Sequence, residues 1–163
     1  MGGSIVNRRQ LSFKDWFKTL VSGAPHFVIG GAERPYLLRW YLIPRNRFCS
    51  IYLHKFLRDD DDRALHDHPW GFISLMLRGS YIEMTSRGPI RRGWLSLAFR
   101  PAEYRHRVVL WRRQGSEEMI PCWTLVITGA KKRTWGFWCP KGFVPWHEFV
   151  NPTDAGQVGK GCE

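Results

Sequence analysis

Apolar and polar residues alternate along most of this chain, and the breaks in that alternation divide it into short segments. Near the start the period is helical. Phe13, Trp16, Phe17, Leu20 and Val21 follow Ser12, with Asp15 three residues after it, so a short helix is predicted from a Ser12 cap to Ser22-Gly23, ahead of Pro25. From His26 onward the texture is β, with alternation in Phe48–Leu57. Strand-like runs cover His26–Ile29, Tyr36–Ile43, Phe48–Leu57, Gly71–Leu77, Tyr81–Thr85, Trp94–Phe99, His106–Trp111, Cys122–Thr128 and Thr134–Cys139. Turn signals separate them: Pro44-Arg45-Asn46, Arg78-Gly79-Ser80, Arg87-Gly88-Pro89, Arg100-Pro101, Gln114-Gly115-Ser116 and Gly129-Ala130-Lys131. The four consecutive aspartates Asp59–Asp62 would repel one another in a regular element and read as a solvated loop. Pro145–Val150 reads as an aromatic closing segment with one helical turn.

About nine short strands at roughly ten-residue spacing, with no helices between them, predict an antiparallel sandwich or barrel. The expected division is an N-terminal segment with a short helix (1–25), a β-barrel (26–150) and a flexible tail (151–163). No apolar run approaches the ~18 residues of a membrane span. Ten Phe, nine Trp and five Tyr predict an aromatic interior or cavity. Cys49, Cys122, Cys139 and Cys162 show no C-x-x-C spacing, and without an export signal they read as free thiols in a reducing cytoplasm. The formal charge of +11 raises nucleic acid as a partner. The basic residues are dispersed in pairs, however, which supports loose attraction to polyanions and not specific nucleic-acid binding.

The candidate chemistry lies in Leu65–Gly79. His66 and His68 are two apart, so on a strand their imidazoles leave the same face as half of a transition-metal site. His106, at the head of a later strand, is the third candidate ligand. Glu83, on the same face as Tyr81, and His54 are possible additional ligands, whereas Glu103 reads as a solvated charge. Asp67 points away from its neighbours and would anchor the loop to Arg63 or Arg78, or orient a ligand imidazole. Tyr81, Ser74, Trp70 and Trp123 are candidates for the pocket wall. Trp135, Phe137 and Cys139 share one strand face and read as core. His26 and His147 read as structural.

These residues resemble the cupin superfamily. His66-x-His68 with the closing Gly79 matches the first cupin motif, whose opening glycine is missing here and whose glutamate position holds Phe72 or Ile73. Pro101 and His106 match the second motif, with Glu103 in place of its inner glycine and Leu110 in place of its asparagine. The phrase from Tyr52-Leu53-His54 through Asp59–Asp62 to His66-Asp67-His68-Pro69-Trp70 also resembles uncharacterised cupin-like proteins of phages and prophages. The resemblance implies a double-stranded β-helix, that is a jelly-roll barrel, with an RmlC-like architecture and a homodimeric state. With the glutamate position apolar, it implies the three-histidine variant used by thiol dioxygenases. The implied cofactor is a divalent transition metal, Fe2+ first and Zn2+, Mn2+ or Ni2+ after it. The implied activity is that of a metal-dependent oxygenase or dioxygenase on a small molecule. The alternative is a non-catalytic binding module, a phage accessory protein recognising a sugar, nucleotide or protein.

Overall fold

The structure, a computed structural model, describes residues 11–31, 33–60, 64–151 and 159–163. In chain order these form α1 (Phe13–Val21), β1 (Phe27–Ile29), β2 (Leu37–Tyr41), β3 (Ser50–Phe56), β4 (Leu65–His66), β5 (Phe72–Arg78) and β6 (Tyr81–Thr85). There follow β7 (Gly88–Arg92), β8 (Leu97–Arg100), β9 (His106–Leu110), β10 (Cys122–Thr128), β11 (Gly136–Cys139), β12 (Gly142–Pro145) and α2 (Trp146–Phe149).

Eight central strands pair first with last: β3 with β10, β4 with β9, β5 with β8, and β6 with β7, all antiparallel. Alternate pairs fall in opposite sheets, giving the orders β1-β2-β3-β10-β5-β8 and β12-β11-β4-β9-β6-β7. Four nested pairs wound this way make a jelly roll, the double-stranded β-helix. The fold is therefore all-β, with a short N-terminal helix, as the periodicity and the resemblance predict. Period-two burial explains the layers. On β5, Phe72, Ser74 and Met76 face inward while Ile73 and Leu77 are exposed; on β10, Cys122, Thr124, Val126 and Thr128 face inward.

One end of the barrel is closed by Met76, Tyr81, Val108, Leu110 and Cys122. The β5–β6 turn sits directly over it. Gly79 has a positive φ, and a Cβ there would lie 3.0 Å from the Cys122 side chain, so the turn approaches as closely as it does only with glycine. A second cluster of Tyr41, Tyr52, Phe72 and Val126 packs between the sheets. A third, of Ala64, Phe137, Cys139, Phe149 and Val150, covers the β11 side.

Several expectations are corrected. The turn expected at Arg87-Gly88-Pro89 lies one residue earlier, at Ser86-Arg87, and Gly88-Pro89 open β7, where Pro89 is tolerated because β7 is an edge strand. The strand expected from Trp94 begins at Leu97, because Leu95 adopts φ 58° in the preceding turn. The two-residue β4 and the four-residue β12 are additional strands, too short for a period to show. Phe13, Phe17 and Val21 are exposed, and α1 is held by Trp16, whose indole donates to Tyr41 O at 2.8 Å and whose carbonyl lies 3.1 Å from His26 Nε2.

The cysteines are not all free thiols: Cys139 and Cys162 form a disulfide, leaving Cys49 and Cys122 reduced. The thiol argument for a reducing compartment therefore falls. The bond also ties Gly159–Glu163, read as flexible tail, back to β11; residues 152–158 lie outside the described residues. Among the described residues no helix is long and apolar enough to cross a membrane.

Candidate metal centre

His66 ends β4 and pairs in register with His106, the first residue of β9. His68 follows in the bend towards β5, where its backbone N–H donates to Ala102 O at 3.0 Å. These two links bring the three imidazoles together, with one ligand atom from each lying within 4.8 Å of the others. His68 Nε2 and His106 Nε2 are 2.8 Å apart. The Phe72 ring lies 4.7 Å from that of His68 and 6.1 Å from that of His106, so an aromatic floor occupies the place where the related motif has its carboxylate.

Glu83 is brought to the site but not into the cavity. It is fully buried and takes Arg92 Nε on Oε2 at 2.7 Å and Arg100 Nε on Oε1 at 2.5 Å. Oε1 also lies 2.8 Å from His106 Nδ1. No well-formed hydrogen bond joins the two, His106 Nδ1 being buried without a hydrogen-bond partner. At this distance the carboxylate nonetheless favours the proton on Nδ1, leaving the Nε2 lone pair for the centre of the triad. Burial alone would raise the Glu83 pKa, but the contacts from His106 and Arg100 outweigh it and hold the carboxyl well below its usual range. Arg100 further donates to Ser74 Oγ at 2.6 Å and to Tyr81 OH at 3.4 Å, fixing two cavity-wall hydroxyls.

Burial lowers the His106 pKa to about 4, against the raising effect of Glu83. Burial, followed by the neighbouring His106 and His66 charges, also lowers His68 well below its ordinary value. At neutral pH both rings are therefore neutral and carry lone pairs. Two imine lone pairs at 2.8 Å repel unless a proton or a cation lies between them, and three converging imidazoles suit a borderline divalent metal. The residues present fit such an ion, and the donor set does not choose among iron, zinc, manganese and nickel.

The triad borders a cavity of about 100 Å³. Trp70, Ser74, Tyr81 and His54 line it; Trp123 does not, because it faces outward and stacks on Trp40 with centroids 5.4 Å apart. Asp67 is fully buried on the opposite side of the strand; Arg63 lies outside the described residues, and among those described the cationic partner of Asp67 is Arg133 and not Arg78. It accepts from Arg133 Nη1 at 2.6 Å, Gly136 N at 2.9 Å and Trp138 Nε1 at 3.1 Å, which locks β4 to β11. His26 is structural, and Glu103 is exposed. Sequence reasoning missed Arg39 and Arg100. Arg39 lines the cavity between inward-facing Leu37 and Tyr41; a charge at an inward position of an apolar strand was the available signal.

The sequence matches no family model and no curated protein. Solved structures do resemble it. The polyketide cyclase RemF from Streptomyces resistomycificus superposes with a TM-score of 0.51 at 17% identity, over 68% of this chain and 75% of that one. The DMSP lyase DddQ from Ruegeria pomeroyi gives 0.51 at 18% identity, over 71% of this chain and 58% of that one. An RmlC-like cupin protein from Ralstonia eutropha gives 0.48 at 16% identity, over 75% of each chain. The likeness is one of fold. Cupin-superfamily proteins, RmlC-like ones included, are thus among the structural neighbours of the chain.

Proposed function

We propose that this protein is a metal-dependent enzyme acting on a small molecule, and within that class an oxygenase. One observation carries the reading: three imidazoles converge at the wall of a half-open cavity, while the neighbouring carboxylate, Glu83, is held away by Arg92 and Arg100. Bound by His66, His68 and His106, a divalent metal would supply Lewis acidity and, as iron(II), the capacity to activate dioxygen. The chain's own contribution is to orient the ligands through Glu83, to hold the Ser74 and Tyr81 hydroxyls in the wall, and to keep water out with Phe72 and Trp70. Burial raises the Tyr81 pKa to about 12, so its hydroxyl stays protonated and can donate to a ligand oxygen. The names of RemF and DddQ, a cyclase and a lyase, support an enzyme of small-molecule chemistry on this fold.

The purified protein is expected to carry close to one transition-metal ion per chain by elemental analysis. The double variant His66→Ala, His68→Ala should lose that ion with its near-ultraviolet circular dichroism intact. A metal-free wild type with an ordered cavity overturns the reading. Oxygen uptake by the loaded protein with a panel of small thiols and keto acids tests the oxygenase assignment. Metal without uptake on any of them moves the reading to non-redox chemistry.

The same proposal includes a homodimer, formed through the apolar outer face of the β5–β8 sheet. Trp94, Leu95, Leu97 and Phe99 are exposed there beside Ile73, Leu77 and Ile127.

A further inference from the structure

The cavity holds a second polar group of residues that the metal centre does not use. Arg39 reaches it from β2, His54 from β3 and Thr124 from β10, on strands that lie side by side. Arg39↔His54 and His54↔Thr124 are register partners, so the three side chains form one row across the inner face of the sheet. Arg39 Nε donates to His54 Nε2 at 2.8 Å, and its guanidinium carbon stacks 4.5 Å above the Tyr52 ring. Both contacts fix the plane of the guanidinium, and neither uses its terminal nitrogens. Among the described residues no carboxylate pairs with Arg39. Thr124 is 2% exposed, and its Oγ1 is buried without a hydrogen-bond partner, although it lines the cavity.

A buried hydroxyl without a partner costs free energy of folding, and the half-buried Arg39 guanidinium has no carboxylate partner among the described residues. The parallel N–H donors of a guanidinium bind a planar carboxylate in bidentate fashion, and Thr124, one strand beyond His54 in the same row, lines the same cavity. His54 supports it passively. Burial, reinforced by the Arg39 charge, keeps the ring neutral, so no second cation competes for the ligand.

We propose that Arg39 and Thr124 form an anion subsite, oriented by His54 and Tyr52, which holds the carboxylate of a small organic acid in the cavity that also contains the His66–His68–His106 triad. The inference rests on reading the cavity as a substrate chamber and adds the substrate class: a carboxylic acid small enough for about 100 Å³. The carboxylate would anchor on the β2–β3–β10 side while the remainder of the molecule extends towards the imidazoles.

The test uses propionate as the probe and propionamide as its neutral counterpart. Both are titrated against chelator-stripped and metal-loaded protein at ~0.15 M salt, with saturation-transfer NMR as the readout. Propionate is expected to bind both forms, about tenfold more tightly than propionamide, the ratio expected for losing a charge-assisted pair. Arg39→Met should weaken propionate about tenfold and leave propionamide and metal content unchanged. Thr124→Val, nearly isosteric and therefore expected to fold, should weaken propionate about threefold. Equal binding of acid and amide, unchanged propionate affinity in both variants, or propionate binding that appears only with metal would overturn the subsite. Because the stripped protein is measured separately, a chain that binds no metal but still discriminates propionate through Arg39 would remove the metal reading and leave the subsite standing.

Discussion

At the scale of single residues, the site depends on one buried carboxylate that touches two cations and a ligand. Glu83 is fully enclosed by Arg92, Arg100 and His106. Removing its charge leaves Arg100, itself 1% exposed, without a counter-ion in a medium that solvates it poorly. Glu83→Gln should therefore lower unfolding stability by about 3–5 kcal/mol in urea titrations, far more than an exposed pair would. The histidines act in the opposite sense on pH. His106 titrates at about 4 in the folded protein against about 6.5 in an unfolded chain, and His68 is lowered as well. Below pH ~6.5 the unfolded state binds more protons than the native state, so stability falls as pH drops from ~6.5 to about 4. Glu83, whose carboxyl is depressed, contributes stability above its ordinary pKa of ~4.3 and loses it only at still lower pH. The metal-free protein should thus show two stages of acid destabilisation. His106→Gln should flatten the first, measured as the urea midpoint against pH.

At the scale of elements, what could be read from sequence followed the strength of the local period. The seven-residue strands β3, β5 and β10 were legible as strands, but not always in their inward face: Trp123, expected in the pocket wall, faces outward on β10. The two-residue β4 cannot show a period, yet it carries His66; the His-x-His spacing revealed what the strand itself could not. Asp59 and Asp60 were legible as loop residues but not in their function, and Asp61 and Asp62 lie outside the described residues. β4 is too short to cover β9, so Asp59 Oδ1 accepts from Leu110 N at 2.6 Å and Asp60 Oδ2 from Val108 N at 2.8 Å, standing in for a neighbouring strand. A run of like charges gives no sign of where its members will find donors. Asp59→Ala should cost about 1–3 kcal/mol and accelerate amide exchange at Leu110 more than at Val109, whose N–H does not face the loop. The Cys139–Cys162 bond was illegible for a related reason: a separation of 23 residues outside any spacing motif becomes a pairing only once α2 and the chain end fold back over β11. Glu83 was placed on the correct face, but the Arg92 and Arg100 that turn it from the cavity lie on other strands, beyond the reach of a local pattern.

At the scale of the whole molecule, two surface properties oppose each other. The net charge of +11 repels any second copy. Yet the outer face of the β5–β8 sheet is apolar from β10 to its edge, with Phe99 71%, Leu97 66% and Trp94 73% exposed. Edge strands ordinarily carry a device against pairing, and β7 has Pro89, Arg91 and Arg92. β8 offers Leu97 and Phe99 instead. The exposed apolar area of this face is on the order of 800 Å², about what one partner contributes to a stable interface, and homodimer interfaces are the more apolar ones. An acidic partner would be drawn by the charge and released by salt. A second copy held by apolar contact and opposed by like charge must behave in the reverse way, because screening removes the repulsion and leaves burial intact. Light scattering after size-exclusion chromatography should therefore show a dimer whose dissociation constant falls as salt rises from ~0.05 to ~0.5 M. Phe99→Asp, at a position too exposed to disturb the core, should run as a monomer in both buffers. A wild type that is monomeric at high concentration, or a dimer that salt dissociates, would show that this face serves some other contact.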